Sequence, residues 1–183
     1  MVITIAGRRV DAPGTETPRF PLSQVGSIKK KLIEFLEKMK VTDIISSGAA
    51  GADLIALEAA GILNIRRHLI LPFARDKFRD TSVIDRPGEW GSIYDSIVTD
   101  LKRSNRLIVL NYQGQDEQAY EKTNIAMLEY AKKISEKKSP PDTILALIIW
   151  DGKPKNDNDI TYHFILEAKK RNFETTEINT LAE

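Results

Sequence analysis

The chain has 183 residues, 27 basic and 26 acidic side chains, and no cysteine. That length suits one domain, 1–183, large enough for a sheet covered by helices on both faces, and the lack of cysteine excludes disulfides, thiolate catalysis and cysteine-held metals together. The charge balance is nearly even, and Lys29-Lys30-Lys31 is the one basic block that stands apart from neighbouring acids, so the electrostatic footprint of a nucleic-acid binder is missing.

Met1-Val2-Ile3-Thr4-Ile5-Ala6 is too short and uncharged for a signal peptide, and no apolar run approaches a membrane span, so a soluble, cytoplasmic protein is expected. Val2 to Ala6 reads as the first strand. A loop follows, Gly7 to Pro21, too long for an ordinary strand-to-helix connection and barred from helix by Pro13, Pro18 and Pro21. Ile28, Leu32, Phe35, Leu36 and Met39 then recur at the spacing of one helical face.

Ile44-Ile45-Ser46-Ser47-Gly48-Ala49-Ala50-Gly51-Ala52-Asp53 is the stretch around which a function can be argued. A strand signal runs into small residues and two glycines and then at once into a helical pattern, so backbone can approach a ligand closely there. The N–H groups of the helix beginning near Gly51 are expected to point into the turn, a setting that favours phosphate or another anion. Ala52-Asp53 stand where a Walker loop carries Lys-Ser/Thr, which argues against a nucleoside triphosphatase, and Gly48 and Gly51 supply only G-x-x-G of the dinucleotide fingerprint. A tight turn that needs small residues only for packing is the competing reading. Asp53 reads either as a helix cap or as a contact to a ribose hydroxyl or Mg²⁺.

His68 to Phe73 reads as the third strand, Ala74 to Glu89 as a second long polar loop whose Arg75, Lys77, Arg79 and Arg86 could cover an anion, and Trp90, Ile93, Tyr94, Ile97, Val98 and Leu101 as the next helix. Arg106 to Leu110 is a fourth strand ending in Asn111-Tyr112. Tyr120, Asn124, Met127, Leu128, Ala131 and Ile134 share a helical face on which Asn124 is the odd polar member, needing a partner in a ligand or in neighbouring backbone. Ile144 to Trp150 is apolar throughout, as in a strand buried on both sides, and Asp151-Gly152 ends it. Asn156-Asp157-Asn158-Asp159 reads as a solvated loop, since the Gly and final Glu of a calcium loop are missing. A last helix spans Thr161 to Ala168, and Glu174 to Ile178 alternates like an exposed edge strand. His68 and His163 have no metal-ligand spacing.

This β-α alternation predicts a Rossmann-like parallel sheet with helices on both faces, whose ligand would bind beyond the carboxyl ends of the strands. The residues there are Gly7-Arg8-Arg9, Gly48-Ala49-Ala50-Gly51, Ala74-Arg75, Asn111-Tyr112 and Asp151-Gly152. Arg8 could clamp a phosphate or carboxylate in two-point fashion, or be solvated.

The element Ile45-Ser46-Ser47-Gly48-Ala49-Ala50-Gly51-Ala52-Asp53 resembles the strand-G-x-x-G-x-D-helix of the SLOG superfamily, which includes the Lonely Guy phosphoribohydrolases and the DNA-processing protein A family. Asp11-Ala12-Pro13, Pro18-Arg19-Phe20-Pro21, Leu71-Pro72-Phe73, Thr81-Ser82-Val83, Pro87-Gly88-Glu89-Trp90-Gly91, Tyr120-Glu121-Lys122-Thr123-Asn124 and Ile149-Trp150-Asp151-Gly152-Lys153-Pro154 resemble, in order, the SLOG-like domains attached to bacterial signalling and conflict-system proteins. The resemblance implies a domain that binds or senses a nucleotide or nucleotide derivative. Its alternative is a nucleotide N-glycosidic hydrolase similar to the Lonely Guy enzymes, with Glu58, Glu121 or Asp151 as carboxylate. Where those enzymes carry P-G-G-x-G-T-x-x-E, this chain reads Asn111-Tyr112-Gln113-Gly114-Gln115-Asp116-Glu117-Gln118, without the glycine pair and threonine. Gly7, Arg8, Gly48, Ala49, Ala50, Gly51, Asp53, Asn111, Asn124 and Asp151 are the candidate ligand-contacting residues; no catalytic residue, metal ligand or cofactor is assigned. The expected partner is a nucleotide-like small molecule, with no membrane and no nucleic acid, and a homo-oligomer or a signalling partner protein is left open.

Overall fold

The computed structural model describes residues 1–113 and 117–181. Among them lie strands β1 (Val2–Gly7), β2 (Asp43–Ser46), β3 (Arg66–Leu71), β4 (Leu107–Val109), β5 (Ile144–Trp150) and β6 (Glu174–Asn179), and helices α1 (Val25–Lys38), α2 (Ala52–Ile62), α3 (Arg75–Ser82), α4 (Trp90–Arg103), α5 (Glu117–Glu136) and α6 (Ile160–Lys170). The strands form one parallel sheet in the order β4-β3-β2-β1-β5-β6, which is the Rossmann-like arrangement that the alternation predicts. Strand order runs outward from β1 to β4 and then resumes on the other side of β1, so it reverses between β1 and β5.

The period of two along each strand divides the core. Ile3, Ile5, Ile44, Leu69, Leu71, Leu147 and Ile149 pack with α1, α2 and α4. Val2, Ile45, Ile70, Ala146, Ile148 and Trp150 pack with α5 and α6. β5 feeds both sets, which is why its sequence is apolar without alternation. β6 lies at an edge and alternates between exposed and half-buried residues.

Helix ends in this chain share a device. After α1, α2, α4 and α6 the residues Lys40, Asn64, Asn105 and Asn172 take positive φ. The next N–H reaches back to the third-last helical carbonyl: Val41 to Leu36, Ile65 to Ala60, Arg106 to Leu101 and Phe173 to Ala168, at 3.2, 2.9, 2.8 and 3.0 Å. This is the Schellman closure, in which asparagine tolerates the left-handed conformation better than most residues with a side chain.

Two boundaries differ from the sequence reading. β3 starts at Arg66, where the exposed Arg66 and half-buried Arg67 hide its pairing to β2, and it ends at Leu71. The segment read as a polar loop from Ala74 to Glu89 contains the eight-residue α3, which has few apolar residues and buries Phe78 and Ser82. No helix among the described residues is long and apolar enough to cross a membrane.

Candidate functional site

The glycine turn joins β2 to α2 as expected, but the chain itself occupies much of it. Gly51 has φ 107° and ψ −127°, and a Cβ there would lie 2.7 Å from the Arg8 carbonyl oxygen and the Val10 nitrogen. Only glycine fits both constraints. The backbone leaving β1 runs across this turn: Ala52 N–H donates to the Arg8 carbonyl at 3.1 Å, and Val10 N–H donates to that of Ala50 at 3.3 Å. Ala50 N–H donates to the Ser82 carbonyl at 2.9 Å, and Leu54 N–H to that of Ala49 at 3.3 Å. The expectation of free helix N–H groups at this turn is thereby corrected at Ala52 and Leu54, which already have backbone acceptors.

Asp53 folds back onto the same turn. Its Oδ2 accepts the Ser47 hydroxyl at 2.6 Å and the Ala49 N–H at 3.2 Å, so the turn directs donors at a carboxylate of its own chain. The other oxygen, Oδ1, is buried without a hydrogen-bond partner. Burial pushes the Asp53 carboxyl up to about 6 from 3.8, and the Ser47 and Ser46 hydroxyls and the Ala49 and Gly48 N–H groups around it oppose that rise without cancelling it.

Gly7 ends β1 so closely against its neighbours that a Cβ would lie 2.3 Å from the Ile149 carbonyl oxygen and 2.5 Å from the Ala52 Cβ. Arg8, 3% exposed, then turns toward the loop after β5. Its Nε donates to Asp151 Oδ1 at 2.7 Å, its Nη1 to Asp159 Oδ2 at 2.6 Å, and its Nη2 to the Lys153 carbonyl, while the guanidinium lies 5.5 Å from the Trp150 ring centre. Arg19 Nη1 takes the remaining Asp151 oxygen at 2.7 Å. Arg8 and Asp151, two expected ligand contacts, are therefore engaged with each other. With Asp159 and Arg19 they clamp the two sides of the switch point together. Asp159 also caps α6, accepting from the Thr161 and Tyr162 N–H groups at 2.9 and 3.2 Å. It is 5% exposed, which corrects the reading of Asn156 to Asp159 as a solvated loop at its last residue, while Asn156, Asp157 and Asn158 are exposed.

A cavity of about 350 Å³ opens beyond the strand ends. Gly7 and Arg8 reach it from β1, Ser47, Ala49 and Asp53 from the turn and α2. Phe78 and Ser82 come from α3, and Tyr120 and Asn124 from α5. The segment from Lys155 to Thr161 supplies most of the remaining wall. Ser82 Oγ and Tyr120 Oη lie 3.0 Å apart and tie α3 to α5. Asn124 Nδ2 donates to the Ile160 carbonyl at 2.9 Å, so neighbouring backbone supplies one partner of the odd amide on the apolar face.

One part of this cavity is cationic. Arg9 and Lys155 line it. Arg9 pairs with Asp85, the same carboxylate that Arg86 Nη1 contacts at 2.9 Å. The Nε atoms of Arg9 and Arg86 are both buried without an acceptor, a state that costs about 1–3 kcal/mol per group. Burial and then the proximity of Arg9 lower the Arg86 pKa. The Lys155 side chain is still accessible, yet partial desolvation at the cavity edge and the nearby guanidinium groups of Arg8, Arg19 and Arg86 lower its pKa as well, against the attraction of Asp159.

Of the ten sequence candidates, Gly7, Arg8, Ala49, Asp53 and Asn124 line the cavity. Gly48, Ala50 and Gly51 shape the turn; Gly48 has φ 77°, and a Cβ there would meet Leu69 Cδ1 at 2.7 Å. Asp151 stands behind in the arginine clamp. Asn111 is exposed, with φ 55°, beyond edge strand β4 and outside the cavity lining. Glu58 pairs with Lys29 at 3.2 Å and borders a separate hollow with residues of α4, and Glu121 lies outside the cavity lining. Gly114, Gln115 and Asp116, in the place of the Lonely Guy motif, lie outside the described residues. Arg75, Lys77, Arg79 and Arg86, expected to cover an anion, do not line the cavity; Arg79 pairs with Asp95 at 2.8 Å. Ser47, Ser82, Tyr120, Lys155 and Asp159 join the site although sequence reasoning did not select them. Asp159 had a signal, an N-cap aspartate directly before a helix. Among the described residues no group of three or more His, Cys, Asp or Glu side chains is placed to hold a metal ion.

Fold and site together define a Rossmann-like α/β domain with a polar cavity at the point where strand order reverses, the place where such sheets bind ligands. No protein-family model matches the chain, and no curated protein matches it. Among solved structures it is similar to DNA processing protein A from Streptococcus pneumoniae, with 14% identity and a TM-score of 0.40 over 95% of this chain. The chain spans 57% of the length of that one. Likeness at that level carries nothing about function from the one to the other.

Proposed function

We propose that the domain binds a nucleotide or nucleotide derivative in the cavity beside Asp53, and that it serves as a sensing module in bacterial signalling or defence, as its resemblance to SLOG-like domains implies. The observation that carries the binding reading is the unpartnered Oδ1 of Asp53 in a residue that lines a cavity at the switch point. A ribose or base donor would satisfy that oxygen, and the Ser47, Ser82 and Tyr120 hydroxyls and the Asn124 amide add further polar groups around it. Phe78 gives the cavity an apolar surface against which a base or sugar can pack.

A second reading, cleavage of a nucleotide N-glycosidic bond, is favoured by the same residue. A carboxyl pushed up to about 6 is suited to proton transfer near neutral pH. Asp53 would replace Glu58, Glu121 and Asp151 as its carboxylate. Incubation with mononucleotides, nucleotide sugars and cyclic dinucleotides separates the two. The binding reading expects a raised melting temperature with intact ligand, and the hydrolase reading expects released base that Asp53→Asn abolishes while binding persists. No stabilisation and no turnover across the panel would remove both.

A further inference from the structure

We propose that Arg9, Arg86 and Lys155 form a binding site for a phosphate group of the cavity's ligand. The proposal rests on the cavity being a ligand site and moves its anion-binding part away from the glycine turn and Arg8.

Both of those places spend most of their donors inside the chain. The turn spends the N–H groups of Ala49, Ala50, Ala52 and Leu54 on Asp53 Oδ2 and on carbonyl oxygens of the chain. The ionised Asp53 would also repel a phosphate set against it. Arg8 has its Nε, Nη1 and Nη2 on Asp151, Asp159 and the Lys153 carbonyl. Its charge is matched inside the fold.

At the other cations the balance is reversed. Arg9 and Arg86 share one carboxylate, Asp85. Asp11, also within electrostatic reach of Arg86, turns its oxygens to the Arg19 and Phe20 N–H groups at 2.9–3.1 Å. The Lys155 ammonium makes no hydrogen bond or ion pair to any described residue, and its backbone N–H alone is held, by Asp159 at 2.6 Å. Two buried guanidinium Nε–H groups without acceptors and one unpaired ammonium thus come from the β1 exit, the α3–α4 connection and the β5–α6 connection, Arg9 and Lys155 in the cavity wall and Arg86 behind it within electrostatic reach of both. A phosphate offers several charged acceptor oxygens in a tetrahedral spread, which suits donors arriving from three separate segments better than the two coplanar oxygens of a carboxylate.

Partial desolvation and, after it, the nearby guanidinium groups lower the Lys155 pKa, and an anion there would oppose both. With phosphate at this rim and a hydroxyl or amine donor at Asp53, the ligand class is a phosphorylated nucleoside that spans the cavity.

The test uses the full chain in low-salt buffer with adenosine, guanosine, cytidine and uridine, their 5′-monophosphates and 5′-diphosphates, and inorganic phosphate as competitor. Affinities are read by calorimetric titration. At least one phosphorylated form should bind ten or more times more tightly than its nucleoside, and inorganic phosphate should erode that advantage. Lys155→Gln and Arg86→Gln should remove most of the advantage while leaving nucleoside affinity within about twofold, and Lys155→Arg should retain it. Equal binding of nucleoside and nucleotide by the parent, or an undiminished preference in both glutamine variants, would overturn the phosphate site and leave the cavity reading standing. Loss of nucleoside affinity along with nucleotide affinity in Lys155→Gln, with native circular dichroism, would also overturn it. Failure of every nucleoside and nucleotide to bind would take the cavity reading and the phosphate site down together.

Discussion

Replacing Asp53 by asparagine should change how stability depends on pH, by an amount that the burial of the carboxyl sets. Below pH 3.8 the carboxyl is neutral in both the folded and the unfolded chain. Between about 4 and 6 the folded chain keeps a proton that the unfolded chain has released, and above about 6 both are ionised, so the folded state then carries a buried charge. A raised carboxyl pKa therefore makes stability fall as pH rises through this window. Two pH units at about 1.4 kcal/mol each give about 3 kcal/mol. Asparagine carries no charge at any pH and keeps one oxygen for the Ser47 hydroxyl or the Ala49 N–H. Urea unfolding of parent and Asp53→Asn, followed by circular dichroism at steps from pH 4 to 7.5, isolates the effect, because all other titrations cancel in the difference. The variant should gain on the parent by about 3 kcal/mol across that range. A difference that stays flat to within about 1 kcal/mol would refute the buried, charge-disfavouring environment assigned to Asp53.

Arg8→Met removes the countercharge of Asp159 and half of that of Asp151 in a buried clamp, and should cost about 3–5 kcal/mol in urea unfolding at pH 7; a loss under about 1 kcal/mol would mean that Arg8 is not what balances these aspartates. Gly51→Ala forces a Cβ against the Arg8 carbonyl and Val10 nitrogen in a conformation reserved for glycine, and should lower stability by at least about 2 kcal/mol. An unchanged melting temperature would contradict that backbone geometry. Asp43 is buried, and although burial alone would raise its pKa, bonds from His68, Arg66 and Lys138 hold it well below the ordinary carboxylate range. Its contribution is complete above the unfolded value of 3.8 and is lost as pH falls below it, so the stability gap between parent and Asp43→Asn should narrow below about pH 4. A gap that widens there would reverse the assignment.

Periodicity made most of this fold legible. α4 buries Trp90, Tyr94, Ile97, Val98 and Leu101, the stripe visible in the sequence, and β5 occupies the limits of its apolar run. Burial and repetition both leave a compositional trace, whereas α3 does not: Arg75 to Ser82 is polar on most of its surface and is held by a few contacts, Phe78 stacking on Tyr94 and Phe73 tilted against Phe78. Nothing local distinguishes Asn111 at an edge strand from a residue at the switch point, because strand order is a long-range property that the chain does not spell out locally.

Side-chain pairing across the sheet is harder to read for the same reason. Arg8 and Asp159 are separated by 151 residues and Arg8 and Asp151 by 143, so no spacing rule links them. Arg8 by itself carries the same letter as a phosphate-clamping arginine. What decides its role is the pair of acids that β5 and the start of α6 bring to the end of β1. The glycine turn illustrates the converse. Gly51 has the backbone freedom that anion-binding turns use, yet here the freedom lets the Arg8–Val10 backbone cross the start of α2, and Asp53 receives the turn's donors. A G-x-x-G-x-D element whose aspartate is buried against its own turn directs most of its donors onto that aspartate. The positive charge for a phosphate must then come from outside the turn, and Arg9 and Lys155 in the cavity wall, with Arg86 behind them, are cations whose charge the chain's own carboxylates leave incompletely matched.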